Sequence, residues 1–206
     1  MKAFVLFGHP APDSFNRAIA DQVASVLAEQ GYQVDFHDLY QEAFDPVATA
    51  AELPRGAEVP EAIARHCREL SEADGIVIIH PNWWGQPPAI LKGWIDRVIR
   101  PGVAYEFQPG DQGEGVPVGL LKARAALVFN TSNTTAEREE QVFGDPLELL
   151  WKNCIFNLCG IHRVERRMFR VMVTSGLEQR QGWLREVRQL VREYFPKEGV
   201  SDDSQV

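Results

Sequence analysis

No apolar run in this chain approaches the ~20 residues that a membrane-crossing helix needs, so no integral membrane segment is expected. Cysteine is scarce: Cys67, Cys154 and Cys159 are an odd set without metal-ligand spacing. That excludes a disulfide framework from expectation and leaves three reduced, buried, small apolar side chains in a cytoplasmic protein. Positive charge is short as well. A formal net charge of −8 argues against a nucleic-acid partner. There is no G-x-G-x-x-G and no G-x-x-x-x-G-K-[ST], so neither a dinucleotide fingerprint nor a P-loop is supported. His66, His80 and His162 lack ligand spacing, His37 reads as a surface strand residue, and no metal is expected. Repeats, low-complexity blocks and interdomain linkers are also missing. The apolar run after Met1 is too short for a leader and reads as a first strand.

The most informative stretch that is present is His80-Pro81-Asn82-Trp83-Trp84-Gly85-Gln86-Pro87-Pro88. It follows Gly75-Ile76-Val77-Ile78-Ile79, a continuous β-branched run that reads as a strand buried on both faces. It precedes Ala89 to Val98, whose apolar residues recur at helical spacing. Prolines stiffen such a loop, and bare aromatic faces suit a large planar cofactor.

Other elements fall into place around it. Residues 2–7 read as the first strand, and Gly8 to Asn16 as a turn rich in Pro and Ser. A helix opens at Ser14-Phe15-Asn16 and stops at Gly31. Residues 33–39 read as a second strand, 40–60 as a long crossover loop, and 61–72 as a helix. Residues 103–107 read as a short strand or arm, and 108–119 as a surface excursion. Lys122 to Phe129 reads as the fourth strand, with Asn130 to Thr135 as the loop at its carboxyl end and 137–142 as a polar segment. Pro146 to Leu158 reads as a helix capped by Asp145. Ile161 to Thr174 supplies the fifth strand, Gly176 to Phe195 a charged helix, and 197–206 an acidic, disordered tail. Five strands alternating with helices imply an α/β, doubly wound, flavodoxin-like parallel sheet, order 2-1-3-4-5, with helices on both faces. The domain is expected over residues 1–196.

That strand order brings three loops to one switch point. The first supplies a helix amino terminus for a phosphate, with Ser14, Asn16 and His9 beside it. The second supplies aromatic faces and backbone amides. Small hydroxyl and amide residues in the third suit the polar edge of a ring. A flavin with its ribityl phosphate needs all three together. Taken alone, each has a plainer reading: Ser14 as a simple helix cap, His9 as a turn residue, and the tryptophans as ordinary core or interface aromatics.

These residues resemble the NAD(P)H:quinone oxidoreductases of flavodoxin-like fold, a group that includes DT-diaphorase, modulators of drug activity and ancillary reductases of bacterial potassium-efflux systems. The resemblance runs from Met1 to about Trp183. Its strongest parts are His9 with Ser14-Phe15-Asn16-Arg17-Ala18, Asp38-Leu39-Tyr40, Pro81-Asn82-Trp83-Trp84-Gly85 with Pro88-Ala89-Ile90-Leu91-Lys92-Gly93-Trp94, and Ala104-Tyr105-Glu106-Phe107. It implies a flavin whose phosphate is held by His9, Ser14, Phe15, Asn16 and Ala18. Pro81, Asn82, Trp83, Trp84 and Gly85 would run along the ring, and Thr131, Ser132 and Asn133 would close its far side. It further implies ping-pong hydride transfer from NAD(P)H to a quinone, azo or nitro acceptor in a homodimer, with Tyr105 and Phe107 lining the neighbour's acceptor pocket.

Two departures stand out. The stretch Thr134 to Gly144 lacks the tyrosine and histidine of eukaryotic members, with Phe143 at the histidine's place, and Ser132-Asn133 replaces a Gly-Gly pair. No arginine precedes the last helix where FAD-binding relatives carry one, so FMN is preferred over FAD. Two rival readings remain open: a flavin-binding redox-sensing subunit of a membrane transporter, and a cofactor-free interaction domain.

Overall fold

The computed structural model describes residues 1–111 and 113–197. Its central sheet has three inner strands too apolar to leave either face in water, between two more polar edge strands. In order along the chain they are β1 (Lys2–Phe7), β2 (Gln33–Asp38), β3 (Gly75–Pro81), β6 (Ala125–Ser132) and β7 (Val164–Arg170). All pair in parallel, in the order β2-β1-β3-β6-β7, which is the expected 2-1-3-4-5. A separate two-stranded antiparallel ladder joins β4 (Tyr105–Glu106) to β5 (Val118–Gly119).

Because strand side chains alternate, β1 sends Ala3, Val5 and Phe7 to one face and Phe4 and Leu6 to the other. The first face is covered by α1 (Phe15–Glu29) and α6 (Leu177–Tyr194) through Ile19, Val23, Leu27, Val187 and Val191. The second is covered by α2 (Glu61–Glu72), α3 (Ala89–Val98) and α5 (Pro146–Glu148), the last continuing as a π-helical stretch Leu149–Phe156. Each fully buried Leu, Ile or Phe contributes about 1.5–3 kcal/mol, so these two layers hold the sheet edge that carries the site. Among the described residues no helix is long and apolar enough to cross a membrane.

Residues 40–60 form the expected crossover loop, with one 3₁₀ turn at Ala50–Glu52. Buried Arg97 pins it, meeting Glu52 through two 2.9 Å bonds and the Asp45 carbonyl at 2.6 Å. Gly93 lets the loop close on α3, since a Cβ there would lie 2.2 Å from the Pro46 carbonyl oxygen.

Several local expectations are corrected. His37 is buried, not a surface residue, because the turn after β2 and helix α2 fold Glu42, His66 and Glu69 around it. Cys67 and Cys159 are buried as expected, but Cys154 is exposed on the π-helical stretch. The fourth strand runs Ala125–Ser132, so Asn130, Thr131 and Ser132 close the ladder rather than forming a loop; His80 and Pro81 likewise end β3. The fifth strand is shorter than 161–174, with Met172–Thr174 turning into 3₁₀ structure. The polar segment after Thr135 is a helix, α4 (Ala136–Gln141), which lacks the apolar periodicity that would announce it. Asp145 makes no side-chain cap; it sits at φ 44 and pairs with Arg166 instead. Beyond Lys197, the expected tail lies outside the described residues.

Candidate functional site

The carboxyl ends of β1, β3 and β6 meet at the switch point of the sheet. Register sets His80 beside Asn130 and Pro81 beside Thr131, and Asn82 extends the ladder by donating its N–H to the Thr131 carbonyl at 2.7 Å. From the first loop, Asn16 Nδ2 donates to Thr131 Oγ1 at 2.8 Å. His9 and Trp83 bring their rings to 6.3 Å. His9, Ser14, Phe15, Asn16, Pro81, Asn82, Trp83, Thr131, Ser132 and Asn133 therefore line one cavity of about 320 Å³, together with Thr134 and Met172. Ala18 does not: it lies one turn into α1, and its N–H bonds to the Ser14 carbonyl.

Local chemistry gives each wall a polarity. Ser14 caps α1, its Oγ accepting from Arg17 N at 3.2 Å, and also faces the cavity. Its capping role and its place in the wall are compatible. His9 Nδ1 accepts the Ala11 N–H at 3.0 Å, which leaves the proton on Nε2. Burial holds the His9 pKa below the usual imidazole value, so the ring is a neutral donor at pH 7. Asn16 Oδ1 is buried and has no hydrogen-bond partner among the described residues. With the positive end of the α1 dipole nearby, this cradle could hold an anionic group and a hydroxylated chain.

The tryptophan loop is a two-residue hairpin. Trp83 and Gln86 exchange N–H···O bonds of 3.0 and 3.1 Å around Trp84 at φ 58 and Gly85 at φ 71. Positive φ at both central positions is a type I′ turn, natural for Gly85 and strained for a bulky Trp84. The Trp84 side chain is 100% exposed. Trp84 and Gly85 belong to a second, larger cavity of about 860 Å³ that shares Asn82, Asn133 and Thr134 with the first. Its remaining wall, Thr135, Arg138, Glu139, Phe143 and Pro146, was not legible as site residues, apart from Phe143. Arg138 lies over the Phe143 ring at 5.4 Å.

Beneath the rim lies a buried polar network. His80 is fully buried, and burial lowers its pKa to about 4. Its Nδ1 faces the Pro81 carbonyl at 2.8 Å, while Nε2 accepts from Trp151 Nε1 at 2.9 Å and meets Asn130 Nδ2 at 2.9 Å. Arg166 extends the network to Asn130 Oδ1, Glu148 and Asp145. The network ties α5 and β7 to the strand ends that carry Asn82 and Thr131.

Two groups lie elsewhere. Tyr105 and Phe107 pack edge-to-face at 5.8 Å, outside both cavities, with Tyr105 on a small pocket of about 180 Å³ beside Arg55 and Arg97. His37, Glu42 and His66 bring three potential metal-ligand atoms within 4.8 Å. Trp94 Nε1, however, donates to His66 Nδ1 at 3.2 Å, which puts the His66 proton on Nε2, facing Glu42 Oε2 at 2.9 Å. Burial, then the neighbouring His37, lowers the His66 pKa to about 4. The cluster is a hydrogen-bonded chain whose His66 lone pair is already taken.

Residues 1–194 match the family described as flavodoxin-like fold. The chain is 35% identical over 173 residues to an uncharacterized NAD(P)H oxidoreductase of Haemophilus influenzae, covering 82% of this chain and 83% of the relative. It is 28% identical to the mouse (Mus musculus) ribosyldihydronicotinamide dehydrogenase [quinone], covering 97% and 94% of the two chains. The solved NAD(P)H:quinone oxidoreductase from Methanothermobacter marburgensis superposes with a TM-score of 0.78 at 26% identity, covering 94% of this chain and 96% of the other. The chain belongs to the flavodoxin-like family, among its NAD(P)H oxidoreductases and quinone reductases.

Proposed function

We propose that this protein is a flavin-dependent NAD(P)H oxidoreductase that carries a hydride from reduced nicotinamide to a quinone, azo or nitro acceptor by a ping-pong route. One observation carries the reading: residues from three separate strand ends, His9 and Asn16, Asn82 and Trp83, and Thr131 and Ser132, wall a single cavity. The residues fit FMN. The neutral His9 Nε2–H and the α1 amino terminus suit a phosphate, and the unpartnered Asn16 Oδ1 suits a ribityl hydroxyl. An arginine does stand in the first turn of α6, but Arg180 is engaged by Ser175 Oγ and the Met172 carbonyl, which favours FMN over FAD.

When bound, a flavin supplies the two-electron exchange, accepting hydride from one ligand and passing it to the next. The chain supplies the rest. Trp83 and the Asn82 ladder hold the ring's position, and the cavity beside Trp84 receives nicotinamide and acceptor in turn. A homodimer completes the site in this reading. Tyr105 and Phe107 stand outside both cavities of their own chain, which supports their serving the partner's.

The test is cofactor content. Protein purified with excess FMN is expected to be yellow and to oxidise NAD(P)H when a quinone is added. Trp83→Ala combined with Asn16→Ala is expected to lose the flavin while keeping the wild-type far-UV circular dichroism. Full stoichiometric flavin in that folded double variant refutes the pocket assignment.

A further inference from the structure

Segment 134–146 walls the larger cavity and brings one group that the reading above leaves unused. Glu139 on α4 is fully buried, at 0% exposure, a place where acids are rare unless paired. Only one of its carboxyl oxygens is engaged, Oε1 accepting from Asn82 Nδ2 at 3.0 Å. Oε2 is buried with no hydrogen-bond partner among the described residues. The backbone that carries this side chain is held at both ends. Its backbone N–H donates to the Thr135 carbonyl at 3.0 Å and its carbonyl accepts from Asp145 at 2.9 Å. Asn82 is anchored too, its Oδ1 accepting from Gly85 at 2.9 Å and its N–H bound to Thr131. A buried acceptor without a donor is costly, and native structures keep few of them.

We propose that Glu139 is a specificity-determining residue of the larger cavity: its second oxygen accepts a hydrogen bond from an N–H or O–H group on the planar ring of the ligand. The inference rests on the oxidoreductase reading and deepens it by naming the ligand class. Trp84 and Phe143 line the same cavity and offer it aromatic faces, and Glu139 offers it an acceptor. Two ligands can supply such a donor: the carboxamide of nicotinamide, and an amino or hydroxyl substituent on a quinone. A ring bearing only carbonyls and methyl groups leaves the oxygen unpaired, and discrimination of this kind is strong because the cost falls on the wrong ligand.

The experiment compares two pairs of near-isosteres on the flavin-loaded protein. One pair is NAD and its acetylpyridine analogue, in which a methyl ketone replaces the carboxamide. The other is aminonaphthoquinone and menadione, in which methyl replaces the amino group. Dissociation constants come from quenching of tryptophan fluorescence, with oxidised ligands and no turnover. The donor-bearing member of at least one pair is expected to bind about tenfold or more tightly, and the pair that shows it identifies the source.

In Glu139→Gln, Asn82 Nδ2 still requires an oxygen, so the new amide nitrogen takes the place of Oε2. Shape is kept while acceptor becomes donor, and the preference should fall to about unity or invert. Equal binding within both pairs by the wild type overturns the proposal, as does a preference that survives in Glu139→Gln. Where that variant melts early, the wild-type preferences decide alone. Visible absorbance of the same samples separates the two levels. A colourless protein that takes up no FMN refutes the oxidoreductase reading and this inference with it, while a wild type on yellow protein that binds both members of each pair equally refutes only the inference.

Discussion

Acid should undo this protein from beneath its cavity, and His80 says by how much. In the folded state its Nε2 accepts from Trp151 and meets Asn130, so a proton can enter only by breaking those contacts. Burial lowers the folded pKa to about 4, whereas a histidine in the unfolded chain titrates near 6.5. Between those values the unfolded chain binds the proton and the folded one does not, so stability rises with pH across the window. It is fully present above pH ~6.5 and is lost as pH falls toward ~4. Taking pH from about 7 to about 5 should remove about 2 kcal/mol through His80 alone. His66, also held to about 4, should remove a similar amount. The assay is urea unfolding at a series of pH values, repeated on His80→Gln, whose amide oxygen can still accept from Trp151. That variant should lose roughly half of the pH slope in this window. A wild-type slope near zero between pH ~5 and pH ~6.5, or the same slope in both proteins, refutes the assignment of neutral buried imidazoles.

Two further changes probe the site's supports. Trp84→Asn places a residue suited to positive φ before Gly85 and removes an indole that is fully exposed, so the urea midpoint should rise by an amount equivalent to about 1 kcal/mol. The same change should raise the KM for quinone, and a destabilised variant with unchanged KM contradicts both halves of the argument. Glu52→Gln leaves the buried Arg97 guanidinium with a neutral partner and should cost about 3 kcal/mol by chemical denaturation, loosening residues 40–60 to proteolysis. A loss within ~0.5 kcal/mol would mean that the pair is not what pins the crossover loop.

The sheet was legible because its signal is redundant. Runs such as Gly75 to Ile79 have one stable use, burial on both faces, and the intervening amphipathic helices leave few ways to wind them. Boundaries were less legible where pairing, not composition, decides them. Asn130, Thr131 and Ser132 look like loop residues, but β3 on one side and β7 on the other keep the ladder going through them. His37 shows the same limit from the opposite direction. Alternation on an edge strand suggests an exposed position, and only the return of Glu42 and α2 over that edge buries it.

The smaller cavity was readable because its residues are chemically unusual where they stand: a histidine and an asparagine at a helix start, and a tryptophan among prolines. The wall of the larger cavity beyond Asn82, Trp84, Gly85 and Asn133 was not. Glu137, Arg138, Glu139 and Glu140 look like any solvated helix, and nothing in that run marks Glu139 as the one acid turned inward. Its burial follows from two distant choices, the left-handed turn at Gly144 and Asp145 that folds α4 back, and the Asn82 amide that meets it. A lone carboxyl held inside by such long-range contacts is costly to keep, which is the physical reason to look there for the group that selects the ligand.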